Sequence, residues 1–110
     1  MVKGTVHKEV GQSKVLWALT NRALPKGVGL RFKAETNVPQ PFEVKWQVVN
    51  TGVEAGADNG LRGGFDEGSG LCGTTRWEGT KYRGTHWIEA FVVKGGRCVA
   101  RSGPVYVRIR

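Results

Sequence analysis

The sequence predicts an all-β domain, an immunoglobulin-like antiparallel β-sandwich of about seven strands. Three observations predict it. Seventeen glycines among 110 residues supply many turns and leave no long stretch of helical period. Apolar and polar residues alternate along residues 28–35, 42–49 and 105–110, which is the two-residue period of a half-buried strand. Gly95 and Gly96 separate two further runs, 86–94 and 97–101, as a two-residue hairpin turn does. A chain of this length makes about one domain with one modest core.

Residues 1–23 read as an N-terminal arm or linker, in which SKVLWALT (13–20) forms either a first strand or a helical turn; residues 24–110 are the sandwich. Pro25 and Gly27 punctuate a turn. Val28, Leu30, Phe32 and Ala34 then face the core while Arg31, Lys33 and Glu35 face solvent. Pro39 and Pro41 break that strand, because proline cannot donate to a ladder. Phe42, Val44, Trp46 and Val48 build the next strand, with Trp46 in the core, and Asn50 and Gly52 end it. Residues 53–75 are rich in glycine and acids and too long for a hairpin loop. Within them LRGGF (61–65) places Arg62 beside Gly63 and Gly64, which suits close backbone approach to a ligand. Ser102-Gly103-Pro104 marks a kink or bulge ahead of the last strand.

The net charge of +8 is unevenly placed: +5 over residues 1–42, −2 over 43–89 and +5 over 90–110. The basic field therefore belongs to the two ends of the chain, with Arg31, Lys33, Arg108 and Arg110 as its electrostatic patch. The two cysteines, Cys72 and Cys98, are too few for a disulfide framework and lack metal-ligand spacing, so they read as buried free thiols. Neither a metal nor a cofactor is implied. No apolar run of ~18 residues exists and the N-terminus has no apolar leader pattern, which gives the expectation of a cytoplasmic protein with no membrane partner. Paired-carboxylate metal motif, P-loop and nucleophile constellation are all missing, so no catalytic residue is assigned and an enzyme is not expected.

Five motifs carry a resemblance: WQVVNTG (46–52), LRGGF (61–65), RWE (76–78), YRGTHWIEAFVVK (82–94) and CVARSGP (98–104), in this order. Residues 24–110 resemble the adenylyl/guanylyl and SMODS C-terminal sensor domain, or AGS-C. The resemblance implies a sensor of a nucleotide-like or nucleic-acid ligand. It also implies an attached or partner nucleotidyltransferase, of the bacterial kind that makes cyclic oligonucleotide signals in antiphage defence, or an effector nuclease. A catalytic domain does not precede these residues, which leaves an excised domain or a stand-alone sensor.

The stretch 76–94 concentrates Trp77, Trp87, Tyr82, Phe91, His86, Glu78 and Glu89. Either it is a strand entry stapled by hydrogen-bonded aromatics, or it lines a site for something flat. With Ile88, Ala90 and Val92 inward, Trp87, Glu89 and Phe91 share an outer face with Lys45, Gln47, Tyr106, Arg108 and Arg110. Such a face suits base stacking and phosphate attraction. The opposite parity buries Trp87 and Phe91 and takes Glu89 inside at a cost. In the first arrangement residues 53–75 are also free to fold over the platform and make it a second small core. Arg62, Arg76 and Arg83 are the phosphate forks, against the alternative of surface salt bridges. Gly63, Gly64 and Phe65 line the approach, Trp87 is the stacking face, and Glu89 or Asn50 reads a base edge, though Asn50 equally suits a turn. His86 is a ligand contact or a hydrogen-bonded structural residue. The rival to a ligand sensor is a protein-interaction domain that docks on the partner enzyme and binds nothing small.

Overall fold

The computed structural model describes residues 1–57 and 64–110. Nine strands run through them: β1 (Val2–His7), β2 (Trp17–Ala18), β3 (Gly29–Ala34), β4 (Glu43–Val49), β5 (Phe65–Glu67), β6 (Thr75–Gly79), β7 (Gly84–Lys94), β8 (Arg97–Arg101) and β9 (Val105–Ile109). They form an antiparallel β-sandwich. One sheet has the order β2-β1-β3-β6 and the other the order β5-β4-β7-β8, with β9 also paired to β7. β8 and β9 follow one another along the same edge of β7, opposite residues 91–94 and 84–88 respectively. A single-turn helix, α1 (Val53–Ala57), and a 3₁₀ turn at Leu71–Gly73 occupy the glycine-rich stretch.

Alternation sorts the side chains as expected. Val6, Leu30 and Phe32 from the first sheet meet Val44, Trp46, Val48, Ile88, Ala90, Val92, Val107 and Ile109 from the second in one core. Trp46 is fully buried and its indole N–H donates to the Gly73 carbonyl at 2.8 Å, which satisfies the one polar group the ring brings inside. Gly68 closes on the same spot. A Cβ there would lie 1.9 Å from the Gly73 oxygen and 2.6 Å from Trp46 Nε1, so only glycine fits. Gly95 and Gly96 turn β7 into β8 with φ of +57° and +77°, as a type I′ hairpin requires.

The N-terminal residues depart from the expectation of an arm. β1 pairs with β3 over six positions, from Val2↔Ala34 to His7↔Gly29. Its pattern is hard to read because Gly4 takes an inward position where a Cβ would meet Leu19 Cδ2 at 2.7 Å, leaving little apolar alternation. SKVLWALT supplies only the two-residue β2. Both cysteines are free, but neither is buried: Cys98 is exposed on β8 and Cys72 half-buried in the 3₁₀ turn, both surface elements.

Candidate functional site

Strand parity decides what the second sheet presents. Ile88, Ala90 and Val92 enter the core, so Trp87, Glu89 and Phe91 point to the outer face. Pairing register then sets the rows: Val49, Trp87 and Tyr106 stand side by side, Gln47 opposes Glu89, and Lys45, Phe91 and Arg101 form a third row. Arg108 opposes Thr85, diagonal to Trp87. Directly opposed residues bring their Cβ atoms to about 5 Å. Trp87, half-buried, and Tyr106, 59% exposed, are therefore adjoining aromatic surfaces with a guanidinium on their flank.

The middle of that face, at Glu89 and Phe91, is closed. Glu89 is 2% exposed. Arg101 donates from Nε to its Oε2 at 2.8 Å and from Nη2 to its Oε1 at 3.0 Å, and the Gly103 N–H donates to Oε2 at 2.9 Å. The kink between β8 and β9, where Gly103 takes a φ of +76°, aims that N–H inward. Ser102 anchors the kink to Ala90 through its own N–H and its Oγ. Arg101, helped by Gly103, holds the Glu89 carboxyl below the usual carboxylate range although burial opposes it. Arg101 also lies over the Phe91 ring, 4.9 Å from its centroid, and Phe65 meets Phe91 edge-on at 5.1 Å. Phe65 from the glycine-rich stretch thus covers Phe91 on part of the platform while staying 61% exposed itself.

Other residues read as ligand contacts serve as internal ties. His86 faces inward and is 5% exposed. Its Nδ1 accepts from the Thr51 N–H at 2.9 Å and its Nε2 donates to the Tyr82 carbonyl at 2.8 Å, which sets the tautomer and fastens the end of β4 to the approach to β7. With Asn50 and Ile109 it lines a cavity of about 30 Å³, room for one water and not for a nucleotide. Arg76 projects from β6 of the first sheet. It donates from Nε to Glu78 at 2.8 Å and from Nη1 to the Glu67 carbonyl of β5 at 3.0 Å, with Asp66 at 3.6 Å, so it clasps the two sheets together. Arg83 is exposed and stands 3.4 Å from Glu54 of α1, which also pairs with Lys26. Lys26 and then Arg83 hold the Glu54 carboxyl low, against partial desolvation.

Gly64 and Phe65 sit at the entry to β5, whereas Arg62 and Gly63 lie outside the described residues. The basic patch expected from Arg31, Lys33, Arg108 and Arg110 is divided. Arg31 and Lys33 belong to β3 of the first sheet, with Arg31 over the Trp77 ring at 5.6 Å, while Arg108 and Arg110 belong to the opposite sheet and its end. Sequence reasoning passes over Trp17, which is 48% exposed and shares a groove with Arg22 and Arg110. Its signal is an aromatic in an apolar run too short to be a core strand. Among the described residues no three His, Cys, Asp or Glu side chains gather as metal ligands, and no helix is long and apolar enough to cross a membrane.

The family model described as the Adenylyl/Guanylyl and SMODS C-terminal sensor domain matches residues 2–110. The chain belongs to this family. The match starts at β1, so the strand that resembled an arm lies within the AGS-C domain. Comparison with curated proteins and with solved structures gives no match to this AGS-C chain.

Proposed function

We propose that this sensor domain binds a nucleotide-like or nucleic-acid ligand on the outer face of its second sheet. It catalyses nothing itself. Occupancy is passed to an attached or partner nucleotidyltransferase or effector nuclease, in cytoplasmic antiphage signalling. The observation that carries the reading is the row of Trp87 and Tyr106, directly opposed across β7 and β9 with Arg108 beside them. Aromatic faces stack on any base and a guanidinium fork matches phosphate oxygens. The family description, which names adenylyl and guanylyl proteins, supports the same ligand class. Of the residues that the sequence singles out, Trp87 stays in the site. Asn50, Arg76, His86 and Glu89 support it from within the fold. Gly64, Phe65 and Arg83 belong to the proposed approach to that face, and Arg62 and Gly63 keep their reading as ligand contacts from the sequence alone.

A thermal-shift screen with nucleotides, cyclic oligonucleotides and short RNA or DNA tests it. A ligand at roughly 100 times its Kd adds about 2.7 kcal/mol, which for a domain of this size raises Tm by about 10 °C. Tyr106→Ala, an exposed change, should remove most of the shift without lowering the melting temperature of the free domain. If no member of the screen moves Tm, the domain is instead a protein-interaction module that docks on its partner enzyme.

A further inference from the structure

The strongest unassigned feature lies where the two sheets part. Residues 19–25 cross from β2, the edge of the first sheet, to β9, the edge of the second. Leu24 pins the crossing: it is 4% exposed, its N–H donates to the Arg108 carbonyl at 2.8 Å, and its carbonyl accepts from the Arg110 N–H at 2.9 Å. Arg108 Nη1 also reaches the Asn21 carbonyl at 3.5 Å. The crossing is therefore a fixed floor. Along it run two pockets, of about 740 and 500 Å³, that share Ala18 and Thr20 and so form one groove. Trp17, Arg22 and Arg110 line one half, Lys3 and Tyr106 line the other, and Arg108, outside both linings, reaches the groove's edge at the Asn21 carbonyl.

The groove is cationic, and among the described residues only its Lys3 is compensated, by Glu35 at 3.5 Å. Ion pairs among the described residues gather around Lys3, Lys26, Lys45, Arg76, Arg83 and Arg101. None includes Arg22, Arg108 or Arg110. Tyr106, Arg108 and Arg110 alternate along β9, so that like-facing side chains recur about every 6.8 Å over a run of about 14 Å. That run is several times the rise of ~3.4 Å between stacked nucleotides. Tyr106 also belongs to the aromatic row on the outer face, which makes groove and face continuous around the edge of β9.

We propose that this groove binds a single-stranded, phosphodiester-linked oligonucleotide, with Trp17 and Tyr106 as stacking faces and Arg22, Arg108 and Arg110 as phosphate contacts. The proposal rests on the sensor reading and extends it: the ligand is a strand several nucleotides long, and its path continues from the outer face over the edge of the sheet. Two exposed aromatics set among guanidiniums that have no ion pair with the described residues favour stacked bases over an acidic protein surface, which needs the charges but not the flat faces.

Fluorescence anisotropy with labelled 12-nucleotide RNA and DNA strands, beside competition by AMP and by polyglutamate, tests this on the whole chain. The strand should bind at least about tenfold tighter than the mononucleotide. Trp17→Ala should weaken it about tenfold. Arg22→Ala with Arg108→Ala should reduce the dependence of log K on log salt by about 1.4, or ~0.7 for each phosphate no longer neutralised. Lys33→Ala, on β3 and outside the groove lining, should change nothing. If strands bind but both groove variants match the wild type, the groove is wrong while the sensor reading stands. If polyglutamate displaces the strand as well as unlabelled RNA does, and Trp17→Ala is neutral, the groove is a site for an acidic protein. If neither strands here nor any nucleotide in the thermal-shift screen binds, the sensor reading itself falls.

Discussion

Glu89→Gln separates a structural carboxylate from a ligand-reading one. In the fold Glu89 accepts three hydrogen bonds, two from Arg101 and one from the Gly103 N–H. A hydrogen bond to a charged group contributes about 1.5–3 kcal/mol, against about 1 for a neutral one. Arg101 is 65% exposed, so solvent screens its share. The glutamine keeps one acceptor but turns an amide N–H₂ toward one of the donors. The loss should be about 2 kcal/mol, or about 8 °C in Tm for a domain of this size. Its pH dependence follows from the direction of the shift. Glu89 titrates below its ordinary value in the folded domain because Arg101 and Gly103 hold the anion, and near about 4.3 in the unfolded chain. Its contribution is complete above that ordinary value and disappears as the pH falls through the lowered folded one. Thermal unfolding followed by near-UV circular dichroism from pH 7 down to pH 3 should thus show the two proteins converging at the acid end. A Glu89→Gln protein that melts within about 2 °C of wild type at pH 7, yet loses ligand binding, would refute the structural assignment.

Arg76→Met removes the clasp between β5 and β6 and leaves Glu78 and Asp66 facing each other, so chemical denaturation should report a loss of about 2 kcal/mol. Gly68→Ala drives a Cβ to 1.9 Å from the Gly73 oxygen, and the same titration should show a loss of about 2 kcal/mol or more with the Trp46 fluorescence environment disturbed. Gly95→Asn keeps a residue that tolerates φ of +57° at a position with nothing within 4 Å, and should leave Tm unchanged or raise it slightly, by up to about 1 kcal/mol of stability. A drop in Tm for Gly95→Asn would mean that the turn is not of the I′ kind.

The long strands were legible because two-residue periodicity is local. β3 and β4 declare their inward faces without help from the rest of the chain, whereas β7, buried on both faces at its centre, leaves either parity open in sequence; Gly95-Gly96 and Ser102-Gly103-Pro104 mark a turn and a kink by backbone chemistry alone. β1 stayed hidden because its inward positions include Gly4, whose space is filled by Leu19 from β2's far side, a contact that no local pattern encodes. The site was harder still. Arg76, His86 and Glu89 have the same chemistry whether they meet a ligand or fasten two strands. What distinguishes them is a partner distant in sequence: Glu67 for Arg76, Thr51 for His86, Arg101 for Glu89. The basic patch was drawn from four residues near the two ends of the chain, and the topology sends two of them to one sheet and two to the other.

The central claim is that a nucleotide-bearing ligand lies on Trp87 and Tyr106. Amide and indole chemical-shift mapping of the ¹⁵N-labelled domain, titrated with whichever nucleotide or strand stabilises it, tests this most directly. The largest shifts should fall on Trp87, Tyr106 and Arg108, continuing to Trp17 and Arg22 for a strand, with Arg31, Lys33 and Trp77 unmoved. Shifts centred on Arg31, Lys33 and Trp77, with Trp87 and Tyr106 still, would contradict it.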